Sequence, residues 1–260
     1  MQHTTTILAV ISGKGGVGKS MLAVNLAEVL ARDEHIVALV DADLGQSACP
    51  VLMNEQPDHT VFDYSRRGTT LDQTLHRTAG NLTLAVGARK RPRTDARETA
   101  LFQSMDEVIE RLRRTHEFII IDAPAGMGPA VRWTLDRSNT GLLVVVGEPT
   151  AIADGYRLTR MIWEQEPDYP LQTMVNFTDS EAEARGISDR FAMITNRFTD
   201  RQPEYLGWIP YDSEIRQSVM KQHPAVREPG YVRGIFEELA ETLTTGRRSL
   251  QETSSLTSRF

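Results

Sequence analysis

Apolar residues in this chain gather into short continuous runs, and between the runs lie stretches with a three-to-four-residue period. The runs are Ile7–Ile11, His35–Val40, Leu82–Val86, Phe118–Ile121, Leu142–Val146 and Thr173–Asn176, with a last short one inside Tyr205–Asp212. Continuous apolar runs of this length are the mark of strands buried on both faces. The periodic stretches predict helices over Leu22–Ala31, over Ser104–Thr115, from Thr150 as cap to about Glu166, up to Arg197–Phe198, and finally over Tyr231–Leu243. In the second of these, Met105, Val108, Ile109 and Leu112 share one face. Buried strand alternating with amphipathic helix is the pattern of parallel βαβ units. It predicts one α/β domain over residues 1–245, doubly wound, with helices on both faces of a mostly parallel sheet of about seven or eight strands. Residues 51–100 say little beyond the run at Leu82. In the closing segment, 246–260, the large apolar residues are Leu250, Leu256 and Phe260, whose spacing makes no helical stripe. That segment is expected as a polar disordered tail, with a weak membrane anchor as the alternative.

Composition narrows the class. At 260 residues the chain can bury a sizeable core, and 40% apolar with 25% charged residues is ordinary for a globular protein. A net charge of −6 argues against general nucleic-acid binding. One run opposes that balance, Arg89-Lys90-Arg91-Pro92-Arg93, which is either a solvated loop or a docking patch for an acidic partner or DNA phosphates. The single cysteine, Cys49, allows no internal disulfide and no cluster needing several thiolates from one chain. The polar start, Met1–Thr6, carries no signal-peptide pattern, and no apolar run approaches the roughly 18–20 residues that span a bilayer. A cytoplasmic location is expected, with peripheral contact at the inner membrane face only through the tail.

The chemistry begins where the first strand ends. Gly13-Lys14-Gly15-Gly16-Val17-Gly18-Lys19-Ser20 stands between an apolar run and a helical pattern, the context a phosphate-binding loop requires. Its glycines let successive backbone N–H groups converge on one anion, and the helix N-terminus adds unsatisfied donors and partial positive charge. Lys19 is then placed for the β- and γ-phosphates of a nucleotide, and the Ser20 hydroxyl for Mg²⁺. Two further strands end in carboxylates, Asp41-Ala42-Asp43-Leu44-Gly45 and Asp122-Ala123-Pro124-Ala125-Gly126. In an open α/β sheet these positions lie at the ligand edge. An apolar strand with a terminal aspartate is a Walker B arrangement, so Asp122 is a candidate for holding Mg²⁺.

The second lysine of the loop carries a resemblance. Lys14-Gly-Gly-Val-Gly-Lys-Ser20 resembles the deviant Walker A box of the MinD/ParA ATPases, and Asp41–Gly45 and Asp122–Gly126 resemble their switch I and switch II. The resemblance implies a P-loop NTPase fold, ATP and Mg²⁺ as cofactors, and an ATP-dependent homodimer. It makes Lys14 a transition-state cation supplied to the partner subunit, Asp41 a support for hydrated Mg²⁺, Asp43 the residue orienting the attacking water, and Gly126 a sensor of the γ-phosphate. Asn176 becomes an adenine contact, with Pro210 and Asp212 beside the base or ribose. After Gly45 the chain departs from relatives, with Gln46-Ser47-Ala48-Cys49-Pro50 in place of a Leu-Ala-Asn-like segment. Glu148-Pro-Thr-Ala-Ile-Ala-Asp-Gly-Tyr156 is similar to the FlhG (FleN) branch, which controls flagellar number and placement. The expected function is thus a slow, dimer-activated ATPase switch of that kind. Its implied partners are an FlhF-like GTPase, a flagellar component or a transcription activator. The alternatives are an ATPase placing division, chromosomal or secretion cargo, and an ATP-binding scaffold that has lost hydrolysis.

Overall fold

Each of the apolar runs forms a strand, and the strands stack side by side because both of their faces are apolar. The computed structural model describes residues 5–257, with side chains described through residue 245. In chain order β1 (Thr6–Ile11) leads through the glycine loop into α1 (Lys19–Arg32), and β2 (Val37–Asp41) follows. Two short helices, α2 (Cys49–Met53) and α3 (Val61–Ser65), precede a hairpin of β3 (Leu75–Arg77) and β4 (Leu82–Val86). Then come α4 (Asp95–Arg113), β5 (Phe118–Asp122), α5 (Pro129–Arg137), β6 (Thr140–Val145) and α6 (Pro149–Gln165). The chain closes with β7 (Leu171–Thr178), α7 (Glu181–Thr199), β8 (Glu204–Pro210), α8 (Ser213–Lys221) and α9 (Tyr231–Thr257).

Among the described residues the strands make one eight-stranded sheet in the order β3-β4-β2-β5-β1-β6-β7-β8. All neighbours are parallel except β3, which returns antiparallel on β4 at one edge. Alternate residues of the central strands point to opposite faces. Leu8, Val10, Leu39 and Ile120 pack with Leu22 and Leu26 of α1 and Phe236 of α9. Their neighbours Ile7, Val40 and Ile121 face Met105 and Val108 of α4, while Ile11 and Val145 face Ile152, Leu158 and Phe191 of α6 and α7. The doubly wound α/β fold expected from the sequence is the fold observed.

Several boundaries differ, each for a local reason. Helix α4 begins at Asp95 instead of Ser104 because Thr94 accepts a hydrogen bond from the Arg97 N–H and caps the added turns. Thr150 is not the cap of α6. The helix starts at Pro149 with Glu148 at the N-cap, a proline being well tolerated in a first turn. Where the sequence suggested only a loop after the last strand, α8 forms, capped by Asp212, whose carboxylate accepts from the Glu214 N–H at 2.6 Å. The last helix does not stop at Leu243. It is continuous to Thr257, so a polar disordered tail from 246 is replaced by helix over that stretch. The tail's apolar side chains, on which the anchor reading depends, lie outside the described residues, as do Met1–Thr4 and residues 258–260. Among the described residues no helix is long and apolar enough to cross a membrane.

Candidate functional site

Parallel pairing of β1, β2 and β5 brings the three candidate segments to one edge. Asp41 stands opposite Asp122 in register, and Val10, just before the glycine loop, stands opposite Asp122 on its other side. The loop itself is held by contacts that only glycine permits. A Cβ on Gly13 would lie 2.2 Å from the Asp154 carbonyl carbon of α6, so the backbone is pressed directly on that helix. Gly18 is the N-cap of α1 with φ 90°, a left-handed conformation that costs an L side chain strain of about 1–3 kcal/mol. Gly15 and Gly16 are exposed at the crest of the loop, Val17 is buried beneath it, and Lys19 and Ser20 open the helix.

Asn176 stands at the strand end where it was expected. It is wholly buried at the end of β7, donates from Nδ2 to the Val17 carbonyl at 2.8 Å and accepts at Oδ1 from the Phe177 N–H at 2.9 Å. In this geometry its amide props the phosphate loop. An amide long enough to read a base edge is also long enough to reach a backbone carbonyl, and the buried carbonyl of Val17 needs a partner.

The carboxylates form a tight, buried group. Asp41 and Asp122 are both fully buried, and donor atoms of Asp41, Cys49 and Asp122 all lie within 4.8 Å of one another. Asp41 accepts hydrogen bonds from the Asp43 N–H (3.1 Å), the Ser47 hydroxyl (2.7 Å) and the Cys49 N–H (3.0 Å). Even so, burial and then the Asp122 charge push its carboxyl up to about 7. Burial raises Asp122 as well, and Lys19, Ser20 and Cys49 act against the rise. Lys19 Nζ lies 3.5 Å from Asp122 Oδ1, an oxygen with no hydrogen-bond partner among the described residues. The Cys49 thiol donates to the other oxygen at 3.4 Å, and its environment of burial and negative charge keeps it protonated. Two buried, mutually repelling carboxylates with an orphaned oxygen beside the Ser20 hydroxyl fit a divalent cation. Hydroxyl and carboxylate are hard oxygen donors suited to Mg²⁺, with the neutral thiol a neighbour and not a ligand.

The other residues expected to act as switches are engaged within the protein. Asp43 is partly buried, and its Oδ1 accepts from the Gly45 and Gln46 N–H groups, each at 3.0 Å. Gly126 donates its N–H to the Ser12 carbonyl at 2.9 Å, so the group expected to face a γ-phosphate is here tied to the foot of the loop. Lys14 turns away from its own loop. Its ammonium pairs with Glu148 and donates to the Thr150 hydroxyl at 3.2 Å.

Beside the loop lies a hollow of about 470 Å³ that Gly18, Lys19 and Ser20 share with Pro210 and Asp212. Its far wall is Phe177, Tyr211, Ile215 and Met220, an apolar surface suited to a flat ring next to a phosphate cradle. Phe177 has φ 61° and meets Tyr211 edge to face, with ring centroids 6.2 Å apart. Sequence reasoning missed this pair, although each adjoins a residue it singled out. The signal was available: an exposed aromatic next to a motif residue at a strand end. Glu148 was missed as a partner for Lys14 because the two are far apart in sequence. Cys49 was weighed only as a count of thiols.

The chain matches the ParA family, described as "NUBPL iron-transfer P-loop NTPase", over residues 3–244. It is 32% identical to Antiactivator FleN of Pseudomonas aeruginosa over 85% of this chain and 79% of that protein. It is 26% identical to the Flagellum site-determining protein YlxH of Helicobacter pylori, over 84% and 74%. Among solved structures, MinD of Pyrococcus horikoshii complexed with Mg-ADP superposes with TM-score 0.73 at 21% identity, covering 92% of this chain and 96% of that one. The MinC:MinD complex of Aquifex aeolicus gives 0.76 at 20%, covering 93% and 96%. On the family match and the FleN identity together, this chain belongs to the ParA family of P-loop NTPases and is of its MinD/FleN type.

Proposed function

We propose that the protein is a Mg·ATP-dependent dimerising ATPase switch that regulates flagellar number or placement. The single observation that carries the mechanism is the contrast between the two loop lysines. Lys19 points into the carboxylate group, and Lys14 points out along the surface to Glu148. A cation outside its own site is available to a second subunit, where it acts on the transition-state charge as an arginine finger does. The loop amides and Lys19 hold the phosphates, Asp43 orients the water, and Asp41, Asp122 and Ser20 would hold Mg²⁺, which would supply charge neutralisation to the phosphates. Phe177, Tyr211, Pro210 and Met220 enclose the base, while Asn176 supports the loop from behind. The flagellar assignment draws on the likeness to FleN and YlxH. The name of the first makes a transcription activator the partner of choice; an FlhF-like GTPase or a flagellar component follows from the FlhG likeness.

The mechanism is tested by mixing. Lys14→Ala and Asp43→Ala are each expected to lose most ATPase activity while still binding ADP. A mixed dimer has one site with its own Asp43 and a Lys14 from the other chain, so activity should partly return. Specific activity of the unmodified protein should rise with concentration, because the active species follows mass action. Flat specific activity together with an inactive mixture would exclude the trans lysine. The biological assignment is tested by capture of partners with the Asp43→Ala protein held in ATP. Recovery of division or partition proteins in place of flagellar ones would overturn it.

A further inference from the structure

A second hollow, of about 540 Å³, is lined by Gly45, Gln46 and Ser47 of the switch I segment and by Arg89 of the basic run. Gln46 and Ser47 form one lip, Pro50 and Val51 the wall beside them, and Pro57 and Arg89 the opposite side. Val51 is 52% exposed, an apolar side chain that the fold leaves uncovered at this point. Arg89 is fixed across the hollow by donating to the Pro57 carbonyl. From it runs an exposed basic rim of Lys90, Arg91, Arg93 and Arg97. Arg91 shares its charge with Glu98 at 3.5 Å, whereas Lys90, Arg93 and Arg97 have no ion pair among the described residues. A protein of net charge −6 thus concentrates unpaired positive charge next to an apolar notch.

The hollow is mechanically joined to the nucleotide site. The basic loop leaves β4 at Gly87, whose N–H donates to the Asp41 carbonyl at 2.9 Å. A Cβ on Gly87 would lie 2.9 Å from Leu44 Cδ2 and 3.0 Å from the Asp41 carbonyl oxygen, so loop and switch I are in close contact with no slack between them. The lip at Ser47 is bonded to the Asp41 carboxylate at 2.7 Å. Any change in what Asp41 holds is therefore passed to Ser47, which lines the hollow.

We propose that this hollow is a docking site for an acidic protein segment carrying one apolar side chain, which packs on Val51 while its carboxylates meet the basic rim, and that the nucleotide state gates it through Ser47 and Asp41. Only the gating rests on the ATP reading above. The geometry favours a peptide over a nucleic acid. A phosphate backbone needs an unbroken cationic track, and here Glu55 lines the hollow while Asp95 and Glu98 interrupt the rim.

The test uses the full chain and a fluorescein-labelled short peptide of Asp and Glu with a central Leu, read by anisotropy. Saturable, salt-sensitive binding is expected. Lys90→Glu with Arg93→Glu should weaken it about tenfold or more, because each substitution replaces attraction by repulsion. Val51→Ser should weaken it without altering its salt dependence. Both variants should keep the unmodified protein's ATP affinity, which separates failure here from failure of the nucleotide site. Affinity should differ between the Asp43→Ala protein without nucleotide and the same protein in ATP; equal affinity would overturn the gating. Peptide binding untouched by the basic-rim variant, no saturable binding, or tighter binding to duplex DNA or to phosphatidylglycerol vesicles than to the peptide would overturn the docking site.

Discussion

Replacing Glu148 by glutamine should make the protein dimerise more readily in ATP. In the structure each subunit's Lys14 is held by its own Glu148, and on the proposed mechanism this pair must open before the lysine can cross to a partner. The side chains are 39% and 63% exposed, so solvent screens the pair and it is worth about 0.2–1 kcal/mol. The Thr150 hydroxyl remains as a neutral acceptor in the variant and keeps the lysine's resting rotamer available. Two pairs open for each dimer formed, so their removal should favour dimerisation by about 0.4–2 kcal/mol, or roughly two- to thirtyfold in the dissociation constant. Sedimentation velocity over a concentration series, with ATP and in the Asp43→Ala background to stop turnover, measures that constant. The gain should shrink in high salt, where the pair is already weakened. With ADP, which does not need Lys14, the variant should behave like its parent. A weaker ATP dimer in Glu148→Gln would refute the reasoning, for Glu148 would then be holding the dimer together and not the monomer apart.

Asn176→Ala should lower affinity for ATP and GTP by a similar factor, since it leaves the Val17 carbonyl without its partner at a cost of about 1–3 kcal/mol; a selective loss of ATP binding in competition assays would restore the base-reading role. Phe177→Ala should weaken ATP while leaving pyrophosphate affinity nearly unchanged, because the ring lines the hollow away from the phosphate cradle. Asp41 titrates near 7 when folded against 3.8 ordinarily, so the native state holds its proton where the unfolded state has lost it. Its contribution to stability is therefore fully present below 3.8 and is lost as pH rises toward 7. Melting curves of metal-free protein should show the unmodified chain losing stability relative to Asp41→Asn across that window, and parallel curves would count against the buried pair. Mg²⁺ should raise the melting temperature more at the upper end of the window than at the lower, because it needs the carboxylate charged.

The parts of the fold that could be read from the chain are those in which burial dictates composition. A parallel strand covered on both faces must be apolar throughout, which is why Ile7–Ile11 and Phe118–Ile121 announce themselves. Strand β3 does not, because Leu-His-Arg at a sheet edge carries no period and little burial. Helices α2 and α3 are too short to display an amphipathic stripe, and α4 was shortened because its first turns, Asp95 to Glu98, are polar and solvated. The phosphate loop and the strand-end aspartates were legible because glycine and buried carboxylate at those places have few other uses. Pairings across long sequence separations were not. Nothing in the local pattern of Lys14, Asn176 or Gly126 says that they rest on Glu148, Val17 and Ser12.

Those unforeseen pairings have a common character. Four groups assigned to nucleotide chemistry are each occupied by a partner inside the chain: Lys14 by Glu148, Lys19 by Asp122, the Gly126 N–H by the Ser12 carbonyl, and Asp41 by Ser47. For the buried ones, Lys19 and Asp41, being left bare would cost more than a hydrogen bond each, about 1–3 kcal/mol for an unsatisfied polar atom. Temporary partners remove that cost, and being exposed, long or neutral they are cheap to give up. Lys14–Glu148 is screened by solvent, Lys19 stands 3.5 Å from its carboxylate, and Asp122 keeps one oxygen without a hydrogen bond. On the proposed reading, all four residues would give up these partners when Mg·ATP is bound, so the bonds of the resting state would also be the triggers. Release of Ser47 moves the lip of the basic hollow, and release of Lys14 frees the dimer face. Two outputs on different surfaces would then respond together to one phosphate, through short contacts and with no long-range rearrangement of the sheet.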